Sequence, residues 1–111
     1  MVIRSEEVKP EENGGFTRRH CIDASAGAGS VSMGTVTLQP GCSLQPHYHL
    51  VEDAMIVIEG IGEFVLEGEA VTVTKGDALL APAGKQHFIR NTGSEPFTVV
   101  YTWPSVNGKK Y

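Results

Sequence analysis

The sequence predicts an all-β protein built as an antiparallel sandwich or barrel. Three observations lead there. Short runs rich in Val, Ile, Thr and aromatic residues recur along the chain, each closed by a turn signal. Glycine is abundant, with 13 residues beside 6 prolines in a chain of 111, which suits many tight turns better than a few long helices. No stretch of useful length carries apolar residues at helical spacing, and no repeat is present. The length allows one domain around one core.

The elements follow in order. Residues 1–15 are polar, end in Asn13-Gly14-Gly15, and predict a flexible start or an arm. Phe16–Asp23 reads as a strand, and Ala24–Ser30 is a small-residue loop. Val31–Leu38 is a β-branched strand closed by Pro40-Gly41. Gln45–His49 and Ala54–Glu59 are strand-like, with two acids between them. Gly60 and Gly62 then break the chain. Glu63–Leu66 and Ala70–Thr74 flank Glu67-Gly68-Glu69, which predicts a tight hairpin. Ala78–Ala81 ends at Pro82-Ala83-Gly84, Gln86–Arg90 follows, and Phe97–Trp103 is the last strand. The barrel is therefore expected over 16–104, with a loose polar tail at 105–111.

Bulk composition excludes some functions. Net charge is −4 and no basic run appears beyond the pairs Arg18-Arg19 and Lys109-Lys110, so nucleic-acid binding is not expected. The start has no apolar signal core, and no uncharged run is long enough to span a membrane, which predicts a cytoplasmic protein. Cys21 and Cys42 have no metal-type or redox-type spacing and read as free thiols.

The chemistry concentrates in Gln45–Asp53. Side chains i and i+2 of a strand share a face, so His47 and His49 point the same way. Asp53 lies at an even offset from both and Glu52 at an odd one. A regular strand brings Asp53 to the histidines, whereas a bulge between 49 and 53 brings Glu52 instead. Met55 and Val57 continue the inner face as an apolar wall. A third histidine, His87, follows the Pro82-Ala83-Gly84 turn.

The spacing of these residues resembles the cupin superfamily. Gly41, five residues, His47-Tyr48-His49, three residues, Asp53, six residues and Gly60 match the first cupin motif. Gly76, five residues, Pro82-Ala83-Gly84, two residues, His87, three residues and Asn91 match the second. The usual acid of the first motif is glutamate, and here the aligned residue is Asp53. The resemblance implies a double-stranded β-helix, or jelly-roll barrel. It also implies one divalent transition metal ion per chain (Mn, Fe, Ni or Zn), held by His47, His49, His87 and Asp53.

Around that centre, Gln45 shares parity with His47 and is a candidate for substrate contact. Arg18 and Arg19 alternate faces, and Arg19 is taken as the candidate that reaches a substrate carboxylate. Asp53, or Glu52 if it is not a ligand, is the candidate base. Tyr48 is expected to face away. His20 matches no motif and reads as surface or interface. Met33, Phe88, Tyr101 and Trp103 read as core or pocket wall, and Asn91 as a loop tether.

The resemblance implies a metal-dependent enzyme acting on a small organic acid or sugar derivative, by isomerase, lyase, decarboxylase or dioxygenase chemistry. The alternative is a non-catalytic ligand-binding or sensor barrel. The expected partners are a small molecule and a second copy of the chain, since Ile56 and Ile58 fall on the face opposite the metal.

Overall fold

The computed structural model describes residues 1–106. Its strands are β1 (Glu11–Asn13), β2 (Phe16–Ile22), β3 (Ser32–Leu38), β4 (Asp53–Glu59), β5 (Ile61–Leu66), β6 (Glu69–Thr74), β7 (Ala78–Ala81), β8 (His87–Asn91) and β9 (Phe97–Trp103). They form two antiparallel sheets. One runs β1-β2-β3-β9-β4-β7 and the other β6-β5-β8. Among the described residues no helix is long and apolar enough to cross a membrane.

Alternation along each strand decides what is buried. On β4, Asp53, Met55 and Val57 turn inward, while Ala54, Ile56 and Ile58 face out. On β3, Ser32, Gly34, Val36 and Leu38 are buried. Met33, expected in the core, is 40 % exposed, because its odd place on that strand turns it outward. Leu38, Val57, Phe97 and Val99 of the larger sheet meet Phe64, Val73 and Ile89 of the smaller in one core.

The turns carry the glycine signal. Glu67 and Gly68 form the two-residue link between β5 and β6, with φ of 48° and 83°. Two successive positive φ values give the turn whose twist matches a hairpin. Gly62 departs from expectation. It lies inside β5, where an added Cβ would come within 2.7 Å of the Phe97 ring, so it permits close packing rather than a break.

The predicted strand Gln45–His49 is not continuous either. Ser43 bridges Arg90 and His47 bridges His87, one residue out of step. Pro46 lies between the two bridges and has no N–H to give a ladder. The segment still runs along β8, through Leu44 N to Ile89 O at 3.0 Å and Asn91 N to Cys42 O at 2.9 Å.

Both ends of the described chain are tied to the barrel. β1 pairs with β2, and the Arg19 guanidinium donates to the carbonyls of Ser5 (3.1 Å) and Val8 (2.9 Å). At the other end, Ser32 Oγ donates to the carbonyl of buried Ser105, and Ala24 N donates to Val106 O at 2.6 Å. The rest of the expected tail, 107–111, lies outside the described residues.

Asn91 closes the loop before β9. Its Nδ2 donates to Leu38 O (2.9 Å) and Glu95 O (2.7 Å), and its Oδ1 accepts from Gly93 N (2.8 Å). The residue is 4 % exposed, so truncation leaves buried backbone groups without their partner. Asn91→Ala is expected to lower stability by about 2–4 kcal/mol in urea unfolding, with the slope of the transition unchanged.

Candidate metal centre

The site begins with a backbone pairing. His47 N donates to His87 O at 3.1 Å, and His87 N donates to His47 O at 2.7 Å, which sets the two residues opposite each other. Their rings meet with centroids 4.5 Å apart. Each ring is also held by the carbonyl two residues before it. His47 Nδ1 lies 2.6 Å from Gln45 O, and His87 Nδ1 lies 2.9 Å from Lys85 O. A carbonyl only accepts, so each Nδ1 carries a proton, and Nε2 is the nitrogen of each ring placed to offer a lone pair to an ion.

His49 completes a cluster. Its ring centroid is 4.7 Å from that of His47 and 5.0 Å from that of His87. Gly84 N donates to His49 O at 2.7 Å, which joins the Pro82-Ala83-Gly84 turn to this segment. Asp53, 3 % exposed at the head of β4, places Oδ2 3.8 Å from His49 Nε2 and 4.0 Å from His87 Nε2. Glu52, just before β4, is exposed and lines a shallow surface groove with Val31 and Leu80, outside the cluster.

This arrangement suits a cation. One nitrogen from each of His47, His49 and His87 lies within 4.8 Å of the others, so the three form a cluster that can hold a metal ion. Side-chain rotation closes such a set to bond lengths of about 2.0–2.2 Å. Backbone carbonyls on the far nitrogens are the support that metal-binding imidazoles use. Imidazole donors favour a transition ion, and an adjacent carboxylate widens the range toward manganese.

A cavity opens from the cluster into the barrel, lined by His47, His87 and Asp53 with Met55, Val99 and Tyr101. It is mainly apolar, and Arg18 is the cation at its wall. Arg18 also lines the outer groove with Phe16, Gln45 and His49. Its Nη2 sits 2.6 Å from Glu11 Oε1 of the arm. Arg19 points the other way, onto the carbonyls of Ser5 and Val8. The alternation of the two arginines was legible, but which one faces inward was not. Gln45 lies at the groove with its carbonyl on His47. Tyr48 is 62 % exposed.

His20 corrects another expectation. It is not a surface group but stacks on Tyr101 and Trp103, with ring centroids 5.8 Å and 5.5 Å away. Cys21 and Cys42 are both free thiols, and burial raises the Cys21 thiol above its ordinary pKa, with Arg19 opposing.

Comparison with known proteins identifies the family. The family model for the cupin domain matches residues 34–103. The chain is a cupin. It is 34 % identical over 101 residues to the tetracenomycin polyketide synthase protein TcmJ of Streptomyces glaucescens, covering 90 % of this chain and 68 % of that one. The cupin barrel also superposes on the polyketide cyclase RemF of Streptomyces resistomycificus. There the TM-score is 0.82 and the identity 26 %, covering 94 % of this chain and 78 % of that one. A structure described as a predicted oxalate decarboxylase, from Thermotoga maritima, shares the fold with a TM-score of 0.85 at 24 % identity, covering 95 % of this chain and 99 % of that one.

The outward Glu52 and inward Asp53 make opposite predictions. Asp53→Ala is expected to weaken zinc binding about 10- to 100-fold in competition titration with a chromophoric chelator. Glu52→Ala is expected to bind like wild type.

Proposed function

We propose that this cupin is a metal-dependent enzyme that activates a carbonyl of a small oxygen-rich compound and moves a proton on the adjacent carbon. The observation that carries this reading is the pinning of His47 and His87 at Nδ1 beside His49, with His87 Nε2 4.0 Å from Asp53 Oδ2. His47, His49, His87 and Asp53 would hold one divalent ion of Mn, Fe, Ni or Zn. When bound, that ion supplies Lewis-acid polarisation of a substrate oxygen.

The residues of the chain do the rest. The apolar wall of Met55 and Val99 keeps the cavity dry, which strengthens every charge interaction inside it. Arg18 receives an anionic oxygen of the substrate, a carboxylate or an enolate, in place of Glu11. The relatives support a carbonyl-rich substrate. TcmJ is named as a polyketide synthase protein and RemF as a polyketide cyclase, and polyketide chains carry carbonyls at alternate carbons.

The cupin is further inferred to act as a homodimer. Met33, Ile56 and Leu80 form an exposed apolar outer face on the six-stranded sheet, at 40 %, 43 % and 51 % exposure. Size-exclusion chromatography with light scattering is expected to give a dimer in wild type and a monomer in Ile56→Lys.

The functional reading is tested with protein purified without chelator. Metal analysis is expected to find about one transition ion per chain, lost in His47→Ala/His49→Ala. The loaded protein is then given an acetoacetyl thioester in mildly acidic D2O, and deuterium entry at the α-carbon is followed by NMR. Catalysed exchange is expected in wild type and not in the double variant, and Arg18→Gln is expected to raise KM more than it lowers kcat. A wild type that binds its ion but exchanges nothing points to a ligand-binding barrel instead.

A further inference from the structure

A second polar array, separate from the three-histidine cluster, reaches the same cavity through Tyr101. Tyr101 Oη is 2.5 Å from His20 Nδ1. On the far side of the same ring, His20 Nε2 is 3.4 Å from Asp23 Oδ2. Tyr101 lines the same cavity as His47, Asp53 and His87. An acid, an imidazole and a phenol are thus neighbours in turn, and Tyr101 is the member that lines the cavity.

The sheet register sets the phenol against the imidazole. Gly34 lies opposite both His20 and Tyr101 in the sheet register. A Cβ there would come within 2.4 Å of Tyr101 Oη and 2.2 Å of Arg19 O, so only glycine lets the phenol cross the strand to reach His20. Trp103 stacks on Tyr101 at 4.5 Å and on His20 at 5.5 Å, which fixes both rings. Asp23 is held by Ser25 N at 2.9 Å and Ser25 Oγ at 2.5 Å. That bonding, with His20 contributing, keeps its carboxyl below the usual pKa, so it is ionised beside the imidazole.

We propose that Tyr101 is the proton-transferring catalytic residue of this site, with His20 and Asp23 as positioning residues behind it; this rests on the enzymatic reading above. In the resting state His20 carries its proton at Nε2, toward Asp23, and accepts the Tyr101 hydroxyl proton at Nδ1. The phenol oxygen then presents a lone pair to the cavity. A proton leaves the substrate α-carbon for Tyr101 Oη, while the hydroxyl proton passes to His20 Nδ1. The electron pair of the broken C–H bond moves into the carbonyl system, and the imidazolium formed is balanced by Asp23. Burial raises the Tyr101 pKa well above its ordinary value, so a free phenolate is avoided and the two transfers occur together.

The test uses full-length, zinc-loaded wild type, Tyr101→Phe and Asp23→Asn in the α-carbon deuteration of the acetoacetyl thioester. Tyr101→Phe keeps the ring and its stacking. It is expected to lose about 100- to 10,000-fold in kcat, with zinc content and KM held and the melting temperature checked. Asp23→Asn is expected to displace the pH profile of kcat, which a purely structural role would leave in place. Nitrogen-15 NMR of the histidines gives a readout without turnover. His20 is expected as the Nε2–H form, with its Nδ1 resonance shifted in Tyr101→Phe. Exchange by Tyr101→Phe at the wild-type rate overturns the proposal, as does a neutral His20 protonated at Nδ1. A wild type that deuterates nothing defeats the functional reading itself, and the NMR result then decides the His20–Tyr101 arrangement separately.

Discussion

Two backbone hydrogen bonds between His47 and His87 hold the site together. They join an irregular segment to the edge of β8, and so bring residues distant in sequence to one point. The ring bonds to Gln45 O and Lys85 O repeat the same device on both sides. Each histidine is oriented by its own chain two residues earlier. The imidazole geometry therefore depends on local backbone, and only the meeting of the two halves depends on the barrel.

Much of this could be read in the sequence, because it rests on alternation. The even offsets placed His47, His49 and Asp53 together and put Glu52 outside. The structure places these side chains so although residues 45–52 lie outside the strands, with only a bridge at His47. The glycine signals at 60, 68, 76 and 84 marked true positive-φ turns. Gly62 gave the same signal for another reason, the packing of Phe97 against β5. Composition does not separate a glycine that bends a chain from one that admits a neighbour.

What stayed hidden is cross-strand register. Nothing in the residues around His20 says that Gly34 and Tyr101 lie opposite it, because the pairings join segments far apart in sequence. The same limit explains Arg18 and Arg19. Alternation says that they face opposite ways, but only the packed sheet says which is inside. His20 looked like surface because no motif claimed it, and the aromatic pair that receives it comes from the last strand.

Adjacent arginines with opposite duties have a consequence for how this chain tolerates change. Arg18 lines the cavity and Arg19 clasps the arm, one residue apart on β2. Deleting Thr17 while Phe16 keeps its register would reverse both assignments and turn His20 out of its aromatic slot at the same stroke. Substitutions in this strand therefore act one at a time, while length changes act on every job together. Indels in related chains should then collect outside β2, in the Ala24–Ser30 loop and before Glu11. That gap pattern is a historical trace of pleating rather than of chemistry.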